Sequence, residues 1–250
     1  LLGGFVLFTF LTTTFWPRGN AEAVISQVEP WQPLPTPTYW FIDGISLAAI
    51  PRAWRFSMPV GAENGAGTYN AQPFGSTQFH PLPHLGDDLN GMYGGSTDLG
   101  DPVNAIATGV VIWAGPAGEG WGNAVVMLHA LPEPIQVGEG RSVHFVQSFY
   151  AHLLDYYVWP GEVIMRGHTI GNVGTAEGEY TAHLHLELRT FLHPHIGVAY
   201  REKAEAWLNP SEFIRSRLDP PKQALPAELL GQAWLLPFDN THDAALPLWQ

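Results

Sequence analysis

The chain has 250 residues, no cysteine, and a formal net charge of −12 from 23 acidic and 11 basic residues. Disulfides and thiolate metal sites are thereby excluded, and without a Lys/Arg block there is no electrostatic footprint for a nucleic-acid backbone. Its 27 glycines and 22 prolines suit short strands joined by tight turns, while 10 Trp and 13 Phe argue against wholesale disorder. The first element is an apolar run, "LLGGFVLFTFLTTTFW", followed by "PRGNAEA" with an Ala21-x-Ala23 cleavage pattern. It is shorter than the ~20 apolar residues that cross a bilayer comfortably. Residues 1–23 therefore predict the tail of a secretory signal, with a mature start near Val24 and an exported protein. The alternatives are a retained anchor that associates the chain with a membrane and a buried N-terminal strand.

Residues 24–53 carry "VEPWQPLPTPTYW", a proline-spaced connector or surface wrap. From about residue 54 to 200 the runs "WRFSMPV", "NAIATGVVIWAG", "NAVVMLHA", "RSVHFVQSFYAHL", "YYVWPGEVIM" and "HTIGNVG" are β-prone and separated by glycine turns. No segment before 200 sustains a helical period over twelve residues, so the reading is an antiparallel all-β domain. Residues 201–250 read as a tail. In it Asn209-Pro210-Ser211 interrupts two short helical pieces within "REKAEAWLNPSEFIRSRLD", and a proline-broken stretch follows.

Two clusters carry chemistry. In "TAHLHLELR" the period is two: His183, His185, Glu187 and Arg189 share one face, and Leu184, Leu186 and Leu188 the other. The leucine face belongs in a sheet core, and the histidine face is either wet surface or the wall of a groove. The second cluster, "FHPLPHLGDDLNG", holds His80, His84, Asp87 and Asp88, with Gly86 allowing a turn and Leu89 an inward contact. Two histidines and one carboxylate make a three-ligand shell for catalytic zinc, one ligand short of a closed structural site. No His-Glu-x-x-His motif is present, so the ligands of any such site come from strands and loops.

Three motifs in order, His84-Leu85-Gly86-Asp87-Asp88, Tyr150-Ala151-His152-Leu153 and His183-Leu184-His185-Leu186-Glu187, resemble those of the lysostaphin-like zinc metallopeptidases, which cut peptide cross-links in bacterial cell walls. The glycine scaffold "LGDPVNAIATGVVIWAG", "GWGNAVVMLHA" and "VWPGEVIMRGHTIGNVG" is similar too, so the resemblance spans Phe56 to Arg189. It implies an antiparallel β-sheet groove domain with an irregular N-terminal extension and a short C-terminal helical tail. It implies one zinc ion on His84, Asp88 and His185, with His152 and His183 as the unligated catalytic pair. Stem or bridge peptides of peptidoglycan are the implied partners, in the periplasm, cell envelope or outside the cell. The alternative is a non-catalytic relative that binds cell-wall peptide or activates another hydrolase, although such relatives lose zinc ligands that this chain retains.

The remaining polar residues have smaller expected roles. His129 reads as groove wall or structural histidine, and His80 as a weak competitor for metal. His144, His168, His193, His195 and His242 read as solvent-facing or locally packed. Asp87 belongs to solvent or a turn hydrogen bond. Glu187 either orients His185 or pairs with Arg189. Two segments depart from the resembling pattern: "TAEGEYTAHLH", with Glu177, Glu179 and Tyr180, and the long "ALPEPIQVGEGRSVHFVQSF", with Glu133 and Glu139. Both are expected to form the groove rim that chooses the substrate.

Overall fold

Alternating side chains decide the architecture, because the long strands Gly109–Pro116, Asn123–Val137 and Arg141–Tyr156 of the main sheet bury apolar residues on both faces. The computed structural model describes residues 41–42, 45–46, 49–138, 140–192 and 196–219. The leader, nearly all of the proline-rich segment, Glu139, His193, His195 and His242 lie outside the described residues. Two short strands, β1 (Phe41–Ile42) and β2 (Ile45–Ser46), pair with each other. Ten more form one antiparallel sheet: β3 (Thr68–Gln72), β4 (Asp87–Gly91), β5 (Pro102–Asn104), β6 (Gly109–Pro116), β7 (Asn123–Val137), β8 (Arg141–Tyr156), β9 (Val163–Ile164), β10 (Thr169–Val173), β11 (Leu184–Arg189) and β12 (Trp207–Leu208). Their main path runs β3-β4-β11-β8-β7-β6-β9, with β10 joining β5 to β8 and β12 added to β11. No helix among the described residues is long and apolar enough to cross a membrane.

Period-two alternation fills both faces. Val125 and Met127 of β7 enter a core with Phe56, Val111, Tyr150 and Leu184, Leu186 and Leu188 of β11. Their neighbours Ala124, Val126 and Leu128 enter a second cluster with Ile50, Ile112, Phe149 and Ala151. Ile50 and Ala53 are buried, so the chain joins the packed structure slightly before residue 54.

Two elements differ from the sequence expectation. The segment from Ala130 to Phe149 is no rim loop: it continues β7 and β8 as a hairpin, with a register shift between Ala130 and Ile135. Asn123 pairs with Leu153 at one end of this ladder, so exposed Glu133 lies ten residues along β7 from the His152 end, roughly 30 Å of strand. At the other end of the chain, residues 201–206 form no helix, and Trp207 and Leu208 pair with Arg189 and Leu188. Asn209 then starts rather than interrupts a helix, α1 (Pro210–Arg215): its side chain accepts the Glu212 N–H, and Pro210 occupies the first turn, where a missing N–H costs nothing.

His129 is resolved as a structural histidine. Fully buried, it donates Nδ1–H to the Thr108 carbonyl at 3.0 Å and lies 2.7 Å from Ser148 Oγ through Nε2. Burial pushes its pKa down to about 4, against the opposing effect of the Thr108 hydrogen bond. A folded-state pKa below the unfolded value near 6.5 makes a stability contribution that is present above pH 6.5 and lost as pH falls toward 4, about 3 kcal/mol at most. His129→Gln is therefore expected to flatten the loss of melting temperature between pH 6.5 and 4. An unchanged slope would place that proton uptake elsewhere.

Candidate metal centre

The site is assembled by register. In the β4–β11 ladder Asp88 lies directly across from His185, and in the β11–β8 ladder His185 lies across from Ala151. Directly opposite residues share a face, so Asp88 and His185 sit side by side away from the leucine core. His84 precedes β4 in a segment clamped by backbone bonds: Leu85 N–H to the Ala199 carbonyl at 2.9 Å, and Arg201 N–H to the Pro83 carbonyl at 3.1 Å. Gly86 serves close approach rather than a turn. A Cβ there would lie 2.5 Å from the Leu186 carbonyl oxygen and 3.0 Å from His185 Cε1.

Three donors converge. His185 Nδ1 is 2.9 Å from Asp88 Oδ1, His84 Nε2 is 3.2 Å from His185 Nδ1, and His84 Nε2 is 3.5 Å from Asp88 Oδ1. A tetrahedral ion with bonds of ~2.0–2.1 Å holds neighbouring donors about 3.3 Å apart, so the triangle has the right size for one zinc. His84, Asp88 and His185 thus form a group able to hold a metal ion, with both histidines buried and the Asp88 side chain 14% exposed.

The acceptors behind the rings fix their tautomers. His84 Nδ1–H donates to the Gln72 carbonyl at 3.1 Å, and His185 Nε2–H to Glu187 Oε1 at 3.0 Å, turning His84 Nε2 and His185 Nδ1 toward the centre. Glu187 also receives Arg189 Nε–H at 2.7 Å and Trp207 Nε1–H at 2.6 Å on Oε2, so both sequence alternatives for it hold at once. The histidine face of β11 is therefore neither wet nor open: Glu187 and Arg189 are buried within an ionic ladder. Burial works to lower the His185 pKa, yet its hydrogen bonds to Asp88 and Glu187 outweigh that and raise it to about 9. Burial likewise works to raise the Asp88 carboxyl, but the His185 hydrogen bond and the charges of His185, His84 and His183 hold it below the usual carboxylate range. His84 is lowered by burial and by His185.

His152 reaches the site by a backbone irregularity that the sequence did not reveal. Along β8, Phe149 and Ala151 face the site side and Tyr150 the leucine core, so regular alternation would bury His152 beside Tyr150. Instead His152 has φ +64°, the β7–β8 register shifts between Asn123 and Val125, and Leu153 takes the core position. This bulge re-aims one side chain. His152 N–H donates to the Trp121 carbonyl at 2.8 Å, and its Nδ1–H to the same oxygen at 3.3 Å. Burial, then the charges of His185 and His183, push its pKa down to about 2, leaving a neutral ring with Nε2 bare.

His183 donates Nδ1–H to the Thr181 carbonyl at 2.8 Å, and its Nε2 lies 3.7 Å from Asp88 Oδ1. The His152 and His183 rings are 4.7 Å apart, and Tyr180 stands 5.1 Å from His152. The five sequence-selected residues are thus brought together. Sequence reasoning missed Trp121, whose ring stacks on His152 at 5.9 Å, and Gln72 and Trp207 behind the donors. Its only signal for Trp121 was a Gly-Trp-Gly turn.

Other assignments separate from the site. Asp87 faces the core side, is buried, and accepts the Phe74 and Ser211 backbone N–H groups, each at 2.9 Å, rather than facing solvent. His80 stacks on Tyr200 at 4.4 Å and joins no metal group, while His144 and His168 are exposed. Glu177 and Glu179 remain at an exposed rim beside Tyr180.

Residues 90–197 match the model of peptidase family M23, a stretch that includes His152, His183 and His185 and begins just beyond Asp88. Solved structures similar to the chain include the following three. The antimicrobial peptidase lysostaphin from Staphylococcus simulans is 20% identical over 70% of this chain and 60% of its own, with a TM-score of 0.44. A catalytic-domain variant of the prophage-encoded M23 protein EnpA from Enterococcus faecalis is 19% identical over 62% of this chain and 95% of its own, with a TM-score of 0.40. A zinc-containing peptidase from Vibrio cholerae is 22% identical over 70% of this chain and 42% of its own, with a TM-score of 0.42. No curated protein sequence matches the chain.

Gly174 provides a structural test of the His152 bend. A Cβ at 174 would lie 2.4 Å from both the His152 carbonyl oxygen and the Leu154 nitrogen, contacts that rigid backbone cannot relieve. Gly174→Ala is expected to destabilise the fold by about 1–3 kcal/mol in denaturant unfolding. Wild-type stability in that variant would show that the bulge is not tightly constrained.

Proposed function

We propose, from the match of residues 90–197 to the model of peptidase family M23, that the chain is a zinc-dependent endopeptidase that hydrolyses amide bonds in the peptide cross-links of bacterial peptidoglycan. The observation that supports this most strongly is the donor triangle of His84, Asp88 and His185, sized for one zinc ion, with two further imidazoles beside it.

Zinc supplies Lewis-acid polarisation of a carbonyl and acidification of water toward neutral pH. The protein residues do the rest. His84 and His185 would hold the ion through nitrogens whose partners across the ring are already committed to Gln72 and Glu187. Asp88 adds one carboxylate oxygen, leaving a fourth position open. His183 and His152 each present a bare Nε2, because Nδ1–H is held by a backbone carbonyl. As a pair they accept the proton of the attacking water and, once protonated, donate to the tetrahedral oxyanion, with burial making His152 the weaker acceptor of the two. Selectivity comes from the rim, where Tyr180, Glu177 and Glu179 stand beside the histidine pair. Glu133 takes no part in that rim, since it belongs to the far hairpin. A peptidoglycan substrate puts the working protein in the cell envelope or outside the cell.

Two measurements test this. Asp88→Ala or His185→Ala should lose stoichiometric zinc after dialysis together with activity. His152→Ala and His183→Ala should keep zinc while turnover falls by ~10²–10⁴. Zinc loss in the His152 variant would make it a ligand. Purified peptidoglycan digested with and without zinc should release fragments cut at an amide of the peptide moiety. Cleavage confined to glycan bonds would reject the reading.

A further inference from the structure

The segment from Ala199 to Ser211 follows the M23 match, yet it touches every strand that carries a donor. The Ala199 carbonyl accepts from Leu85 beside His84, the Ser211 N–H donates to Asp87 beside Asp88, and Trp207 donates to Glu187 behind His185. The last contact reaches a donor most directly. Glu187 is fully buried and has one oxygen on His185 and the other shared by Arg189 and Trp207. Arg189 lies on the same strand as Glu187, and its guanidinium also donates to the Ile196 carbonyl at 3.0 Å. Trp207 comes from β12, so the two donors on Oε2 are held by different strands and together fix the carboxylate plane. The indole is itself positioned, with pairing to Arg189 and an edge contact to Phe191 at 5.4 Å.

We propose that Trp207 is a positioning residue for the metal centre: its indole N–H locks Glu187 so that Oε1 faces His185 Nε2, which keeps His185 Nδ1 aimed at the point shared with His84 and Asp88. A purely hydrophobic role for a half-buried tryptophan at a sheet edge needs no N–H on a buried carboxylate. Removing that N–H leaves a desolvated charged oxygen short of a donor, and the carboxylate is then free to rotate away from His185. Outer partners of metal-bound histidines typically tune metal affinity by 10–100-fold. The proposal rests on the zinc reading of His84, Asp88 and His185.

The test uses the full chain, stripped of metal and titrated with zinc against a chromophoric competitor. Trp207→Phe keeps an aromatic ring against Phe191 and removes the N–H. It is expected to bind zinc at least about tenfold more weakly than wild type and to change the visible absorption of the cobalt-substituted site. Leu208→Ala alters the same strand without touching Glu187, and it is expected to keep wild-type affinity. Zinc affinity within twofold of wild type in Trp207→Phe, or equal losses in both variants, would overturn the proposal. If Trp207→Phe lacks a cooperative melting transition, benzothienylalanine at position 207, an isostere that lacks only the N–H, takes its place under the same criteria. A wild-type chain that binds no zinc would overturn the metal reading itself, and this proposal with it.

Discussion

Asp88 of β4 and His185 of β11 face each other across an antiparallel ladder, and everything else in the site is arranged around that pairing. Because side chains alternate with period two, a slip of one residue would carry His185 into the leucine core and expose Leu184 or Leu186 in its place. Several contacts resist the slip. Leu89, Leu184, Leu186 and Leu188 share the core, and Gly86 lets the chain pass within contact distance of the Leu186 carbonyl. Asp87, one residue before the donor Asp88, ties the opposite face of β4 to the first turn of α1. Hydrophobic burial on one face thus fixes polar geometry on the other.

That polar geometry is electrostatically demanding. Asp88, His185, Glu187 and Arg189 form a nearly buried row of alternating charge, each held by its neighbours. Such a row is poor evidence for stability, since desolvation of each ion offsets much of the mutual attraction. Its value lies in orientation: a carboxylate with three donors and an imidazole with two acceptors have few alternative poses. A cation held among His84, Asp88 and His185 would compete with any proton on His185 Nδ1.

Much of this was legible in the sequence. The alternation in "HLHLELR" gave the strand and its two faces, and the ordered motifs at 84–88, 150–153 and 183–187 selected five residues that the fold brings together. The illegible parts all depend on contacts distant in sequence. Regular alternation puts His152 in the core; only the bulge against Asn123 and the glycine at 174 turn it outward. Asp87 reads as a solvent or turn residue because its bond to the backbone N–H of Ser211, 124 residues away, cannot be inferred from its neighbours. The stretch 130–149 reads as groove rim because it departs from the resembling pattern, whereas the structure extends it as long paired strands with Pro132 and Pro134 at a register shift. Asn209-Pro210 reads as a break because proline usually ends a helix, yet here it starts one.

On the proposed zinc reading, two imidazoles and one carboxylate would hold the metal, and His152 and His183 would stay off it. X-ray absorption at the zinc edge of the stoichiometrically loaded chain tests it most directly. The account predicts four light-atom scatterers, of which two give the multiple-scattering signature of imidazole. A fit requiring three or four imidazoles would place His152 or His183 on the metal and contradict it, as would six-coordinate zinc bound mainly by solvent.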